Sequence, residues 1–243
     1  MARAKAVGSK RAKPSENLPL HLPTSELEIK PTWRGWIHTG ALPLVVAGGV
    51  LAIVFGDGWV AKLAASVFLT CSVLLFGMSA VYHRFNWSPR VKLALKRIDH
   101  ANIFLLIAGS YTPITLLALP ADKGLVLIIV IWATALIGIG FRVFWITAPR
   151  WLYVPIYIAM GWIAIAFIKD FMDANVAMMT LILAGGACYT VGAIAYALKR
   201  PNPFPGKFGF HEIFHAFTVA AFLCHWAAVF LIALSPSALS LGG

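Results

Sequence analysis

The sequence predicts an all-α integral membrane protein, a bundle of seven transmembrane helices. Three observations lead to this fold class. Of the 243 residues, 60% are hydrophobic and only 12% are charged, whereas soluble domains carry about 25% charged residues. Seven apolar stretches each approach the roughly 20 residues that a bilayer requires. The prolines and charges that interrupt helices fall mostly between these stretches.

The predicted spans are joined by short connections. Gly56-Asp57-Gly58 joins the first two, and the proline-rich segment 201–206 separates the last two because it cannot be helical. Residues 1–34 are predicted to form a disordered, basic cytoplasmic tail that lacks the apolar core of a signal peptide. Residues 35–243 are predicted to form the membrane domain, with spans at approximately 38–55, 59–83, 98–119, 124–144, 151–168, 176–197 and 211–234.

The positions of the basic residues predict the orientation. With the N-terminus in the cytoplasm, seventeen of the twenty Lys and Arg residues fall on the inner side, as the positive-inside rule requires. Seven spans then place the C-terminus outside. The net charge is +11, and the basic residues responsible for it alternate with the spans instead of forming one face. This pattern favours topology signals and contacts with anionic lipids through the cytoplasmic basic loops, and it argues against nucleic-acid binding.

Several groups that bind metals or protons gather at the predicted inner edge. His83 ends the second span, Asp99 begins the third, and His211 and His215 share a helix face at the start of the seventh. Three imidazoles at one depth predict a zinc site with a fourth position open for water. Asp99, with Ser79 one turn before His83, is predicted to orient or deprotonate that water, whose pKa zinc lowers to about 7.

Other interpretations of the same residues stay open. His211-Glu212-xx-His215 matches the HExxH pattern, in which the glutamate is the general base of a metalloprotease. In intramembrane proteases of that type, however, this span precedes the aspartate, whereas Asp99 comes first here. A single histidine at a span end can also simply cap a helix. The roles of Glu212, His100 and His225 are left open. His225 is expected to bond a neighbouring helix, and His38 is expected to be interfacial.

Four separated motifs resemble the hemolysin III family, the bacterial branch of the progestin and adipoQ receptor (PAQR) superfamily. They are, over residues ~35–234, Ser79-xxx-His83, Asp99-His100, Gly109-Ser110-Tyr111-Thr112-Pro113, and His211-xxx-His215 followed by Cys224-His225. The resemblance implies a multi-pass protein of the bacterial inner membrane with its N-terminus inside. It also implies zinc held by His83, His211 and His215 near the cytoplasmic face, with Ser79 and Asp99 close to the metal.

Three functions are compatible with these features. The first is a zinc-dependent hydrolase of a lipid amide, since the resemblance extends to adiponectin receptors, which are associated with ceramide hydrolysis. Its partners would be membrane lipids, with a lipid substrate inside the bundle. The second is a pore-forming cytolysin, as the family name suggests. The third is a non-enzymatic sensor or receptor for the state of the membrane, with structural zinc. The sequence leaves protein partners unknown.

Overall fold

Residues 31–243 are described by a computed structural model, and they form a helical bundle. Most of the predicted tail, residues 1–30, lies outside the described residues. The described part of the chain contains eight α-helices: α1 Trp36–Phe55, α2 Gly58–Arg84, α3 Pro89–Ala118, α4 Ala121–Phe144, α5 Arg150–Gly161, α6 Ile168–Ala174, α7 Val176–Leu198 and α8 Phe210–Leu234.

Seven helical segments within residues 31–243 are long and apolar enough to cross a membrane. Six of them are single helices, and the fifth, Arg150–Ala174, combines α5 and α6. The predicted seven-span fold is confirmed, and the protein is a multi-pass membrane protein. The cytoplasmic orientation of the N-terminus stays a prediction from the distribution of basic residues.

The third helix begins earlier than the sequence predicted. The expected span started at residue 98, whereas α3 starts at Pro89. Proline is favoured at the first position of a helix, and the Lys, Arg and Leu residues that follow are good helix formers. The basic segment 84–97, which the sequence predicts to be a connection, is therefore mostly a helical extension of α3. Asp99 consequently lies almost three turns inside α3 instead of at its start.

The fifth span is interrupted, in contrast to the single helix predicted over 151–168. Helix α5 ends at Gly161, and a 3₁₀ turn, Ile163–Phe167, leads into α6. The hydroxyl of Tyr111 on α3 donates to the Gly161 carbonyl and accepts from the Ala164 N–H, both at 2.9 Å. Irregular backbone at membrane depth is tolerated where protein satisfies its polar groups. A side chain 50 residues away in sequence thus stabilises the break.

Small residues bring the helices of the bundle close together. A Cβ atom on Gly138 of α4 would lie 2.3 Å from the Phe104 ring of α3, and one on Gly109 of α3 would lie 2.6 Å from the Cys71 side chain of α2. Small residues at such crossings are typical of membrane helix packing. Helix α3 is therefore enclosed by its neighbours, which explains how a polar residue on it can face the interior.

Candidate metal centre

Helices α2 and α8 bring three histidines together at one edge of the bundle. His83 lies in the last turn of α2, and His211 and His215 lie in the first two turns of α8. One nitrogen from each ring lies within 4.8 Å of the other two. The Nε2 atoms of His83 and His211 are 3.3 Å apart. The three residues that the sequence predicted as metal ligands therefore meet in space.

The distance between the His83 and His211 nitrogens fits a tetrahedral metal ion. Two nitrogens bound to zinc at 2.0–2.1 Å with a tetrahedral angle lie about 3.3 Å apart, which is the distance between His83 and His211. His83 and His215 are both buried, at 7% and 3% exposure. Imidazole nitrogens suit zinc, copper, iron and nickel. These three residues could thus hold one metal ion.

Asp99 and Ser79 lie beside the histidines. The Oδ2 atom of Asp99 is 3.8 Å from Nε2 of His83. Ser79 precedes His83 by one turn on α2, is buried, and pairs with the Asp99 carboxyl. Both residues line an internal cavity together with His211 and His215. All five residues singled out from the sequence are therefore neighbours.

Glu212 points away from the histidines and is occupied elsewhere. It is 1% exposed, and its Oε1 atom accepts a hydrogen bond of 2.5 Å from the Arg34 guanidinium. Its Oε2 atom accepts from the Gly209 N–H at 2.9 Å, at the start of α8. Successive helix residues differ by about 100° in direction, which separates Glu212 from its neighbour His211. The geometry favours a structural role for Glu212 and gives no support to the protease interpretation.

The segment Pro31–Gly35, here called the N-terminal strap, joins three elements at this edge. The N–H groups of Thr32 and Trp33 donate to the carbonyls of Gly206 and Lys207, both at 3.2 Å, before α8. Gly35 has φ +83°, and a Cβ atom there would lie 2.9 Å from the Cβ atom of His83. Glycine meets both requirements, since it tolerates positive φ and allows close approach. The strap thereby fixes the start of α1 against α2 and α8.

His38, expected at the interface, is instead buried at 2% exposure. Its ring stacks on that of His215, with centroids 3.9 Å apart and planes 5° apart. Neither ring nitrogen has a hydrogen-bond partner among the described residues. The place of His38 in the first turn of α1 puts it at the end of a span, and the start of α8 packs against that turn and buries the ring. The sequence did contain one signal for this contact, because the predicted topology places His38 at the same depth as His211.

The other two histidines among residues 31–243, His100 and His225, have partners on other helices. The Arg142 guanidinium of α4 donates to Nδ1 of His100 at 2.8 Å, so the ring nitrogen must be unprotonated. Nε2 of His225 lies 3.4 Å from the Ile182 carbonyl of α7, which confirms the predicted bond to a neighbouring helix. Arg142 is a residue that the sequence analysis counted only as a topology signal. It is 1% exposed and also stacks on the Tyr153 ring at 4.1 Å.

A cavity of about 130 Å³ extends from the histidines into the bundle. Residues of α3, α5, α7 and α8 supply most of its wall, which is largely aliphatic and aromatic. Asp99, His211 and His215 line one end, and Gly161 and Trp162 at the break in the fifth span also contribute. The irregular backbone therefore lines a cavity, as the hydrocarbon environment requires. The arrangement combines three histidines that could hold a metal ion with a largely apolar cavity.

Comparison with known proteins identifies the family. A family model described as "Haemolysin-III related" matches residues 28–226. "Hemolysin-3 homolog" of Bacillus subtilis (strain 168) is 32% identical over 189 residues, covering 76% of this chain and 85% of that protein. "Hemolysin-3" of Bacillus cereus is 34% identical over 160 residues, covering 65% of this chain and 70% of that protein.

A more distant relative connects the chain to animal receptors. "Adiponectin receptor protein" of Drosophila melanogaster is 25% identical over 194 residues, covering 69% of this chain but only 42% of that protein. The family match, which runs as far as Trp226, includes all four motifs singled out in the sequence. The chain belongs to the hemolysin III family, within the PAQR superfamily.

Proposed function

We propose that this protein is a zinc-dependent hydrolase that cleaves an amide bond in a membrane lipid. One observation carries the proposal: three clustered histidines and a carboxyl group stand at one end of an apolar cavity. A membrane protein rarely places so many ionisable groups in its interior without a function. The cavity would take an acyl chain, and the polar cluster would face the bond to be cleaved.

Each residue of the cluster has a distinct proposed role. His83, His211 and His215 would hold the metal, and zinc, when bound, supplies a water of lowered pKa and polarises a carbonyl group. Asp99 would accept the proton of the attacking water. Ser79 would orient the Asp99 carboxyl, with which it pairs. The aliphatic wall would exclude bulk water and strengthen these electrostatic interactions.

The ligand count supports catalysis over a purely structural metal. Catalytic zinc sites have three protein ligands and an open position, whereas structural sites have four. Among residues 31–243 the cluster contains three residues that could hold a metal ion. Asp99, at 3.8 Å from His83, is the residue that would close the site in a non-enzymatic sensor. Whether Asp99 ligates the metal therefore distinguishes the proposed enzyme from a non-enzymatic sensor.

The cytolytic alternative has less support. A conducting pore needs polar groups or water along its length, and the described cavity wall is mainly aliphatic and aromatic. Lysis of vesicles by purified wild-type protein, undiminished in a His83/His211/His215 triple alanine variant, would favour it.

The metal and the reaction can be tested on the purified protein in lipid nanodiscs. We expect stoichiometric zinc by elemental analysis, lost in His211→Ala. Cys224→Ala is the control, because it removes a soft potential ligand from the same helix but outside the cluster. Asp99→Asn is expected to keep zinc and to lower ceramide hydrolysis by at least about 100-fold, as loss of a general base does.

Three outcomes would contradict the proposal. Full zinc retention in His211→Ala would exclude the metal site. Unchanged hydrolysis by Asp99→Asn would exclude Asp99 as the base. If the wild type binds zinc without hydrolysing lipid, and Asp99→Asn loses the zinc, the results would favour a sensor whose zinc has four protein ligands.

The extension of α3 also supports a contact with lipid head groups. Arg90 and Lys92 are exposed on its first turn, and clustered basic residues beside a span attract anionic lipids. We propose that this turn lies along an anionic membrane surface. Binding of anionic nanodisc lipids should weaken in Arg90→Gln/Lys92→Gln, and an unchanged lipid preference would contradict the contact.

A further inference from the structure

We infer that the cavity holds a second polar subsite, formed by Tyr189 and His225, which binds a hydroxyl on the chain of a lipid. The inference builds on the proposed function only in placing the lipid head at the metal end. The ligand it assigns is an acyl lipid that carries a hydroxyl well along its chain, away from the head group.

The Tyr189 hydroxyl is the first observation. Tyr189 lines the cavity, and its hydroxyl is buried without a hydrogen-bond partner among the described residues. Buried hydroxyls are nearly always paired with protein, water or ligand. The neighbouring Thr190 shows the usual state, since it donates to the Gly186 carbonyl at 2.8 Å and accepts from the Trp162 indole at 2.9 Å.

The orientation of His225 is the second observation. Its ring faces Tyr189 edge-on, with centroids 5.4 Å apart and planes at 79°, and it lines the same cavity. Nε2 is directed at the Ile182 carbonyl at 3.4 Å, so it carries the proton and Nδ1 is left as an acceptor. The pair therefore offers a hydroxyl and an acceptor, which is the complement of a ligand hydroxyl.

The packing of α7 makes room for this ring. A Cβ atom on Gly185 would lie 2.3 Å from Cδ2 of His225. Glycine at this position lets the imidazole lie between α7 and α8. A larger residue would displace the ring from its present position.

The distance between the two polar ends defines the ligand. His215 and His225 are ten residues apart on α8, which corresponds to about 15 Å along a helix. The cavity wall includes the aliphatic residues Leu106, Ile107 and Ile158. A chain with its head at the metal end and an apolar middle would bring a hydroxyl near its twelfth carbon to Tyr189.

Three fatty acids test the subsite directly. Octadecanoic, 12-hydroxyoctadecanoic and 2-hydroxyoctadecanoic acid compete with a fluorescent fatty acid for the purified protein in nanodiscs. We expect the 12-hydroxy acid to bind about five- to tenfold more tightly than octadecanoic acid, the gain that one hydrogen bond gives. The 2-hydroxy acid places its hydroxyl at the metal end and should show no such dependence on Tyr189.

Tyr189→Phe is the matched variant, because it removes only the hydroxyl. It should bind octadecanoic acid as the wild type does, which shows that the cavity is intact, and it should lose the preference for the 12-hydroxy acid. Equal binding of the 12-hydroxy and unsubstituted acids by the wild type overturns the inference. So does a preference that persists in Tyr189→Phe, or a failure of all three acids to bind.

The outcome is separable from that of the proposed function. The binding measurement is repeated with Asp99→Asn, which retains the subsite. A Tyr189-dependent preference with no lipid hydrolysis supports the subsite and contradicts the hydrolase. Lipid hydrolysis without a Tyr189-dependent preference supports the hydrolase and contradicts the subsite.

Discussion

Replacing Arg34 by alanine is expected to destabilise the protein because it leaves the buried Glu212 carboxylate without its cationic partner. Glu212 is 1% exposed and keeps only the Gly209 N–H once Arg34 is gone, whereas Arg34 itself is 22% exposed. Breaking a buried pair costs about 3–5 kcal/mol. Because water can partly reach the vacated space, we expect the free energy of unfolding to fall by about 2–3 kcal/mol.

The double variant provides the decisive comparison. Glu212→Gln keeps an oxygen for the Gly209 N–H but removes the charge, and it should cost about 1 kcal/mol. In Arg34→Ala/Glu212→Gln no buried charge is left unpaired, so the combined loss should be smaller than the sum by at least about 1 kcal/mol.

The assay is reversible unfolding in mixed micelles, followed by tryptophan fluorescence. The exposed pair Lys123–Asp170, at 2.7 Å near the opposite end of the bundle, is the control. Its cycle should show much weaker coupling, since exposed ion pairs contribute little. Additive losses for Arg34 and Glu212 would refute the reasoning, because they would show that the two side chains do not depend on each other.

Two further substitutions test the packing of the bundle. Tyr111→Phe should destabilise the protein by about 2 kcal/mol, because it leaves the Gly161 carbonyl and the Ala164 N–H unpaired. Faster amide hydrogen exchange around residues 161–164 should accompany the loss, and unchanged exchange would contradict it. Gly138→Ala should cost about 1–3 kcal/mol by overpacking against Phe104. Gly140→Ala is its control, because nothing lies within 4 Å of its added Cβ, and equal unfolding free energies of the two variants would argue against the close contact.

The candidate site was predictable as far as topology brings span ends together. His83, Asp99, His211 and His215 lie at the predicted ends of the second, third and seventh spans, and the alternating direction of the spans places those ends on the same side of the membrane. The position of Asp99 within α3 was not predicted, because Pro89 and the basic residues after it read equally as a loop or as helix. His38 was assigned to the interface because hydropathy reports depth and not which face of α1 is covered.

The sequence by itself determined the seven apolar spans, the distribution of charge and the placement of three histidines at span ends. These features depend on local composition and on the thickness of a bilayer. Only the tertiary structure decided the break in the fifth span, the pairing of Glu212 with Arg34, and the cavity that joins the histidines to Tyr189. Each of these depends on contacts between residues far apart in the chain, and a hydropathy pattern carries no information about such contacts. The pentapeptide His211–His215 shows the difference: its spacing predicted two metal ligands, and packing alone assigned Glu212 to the strap.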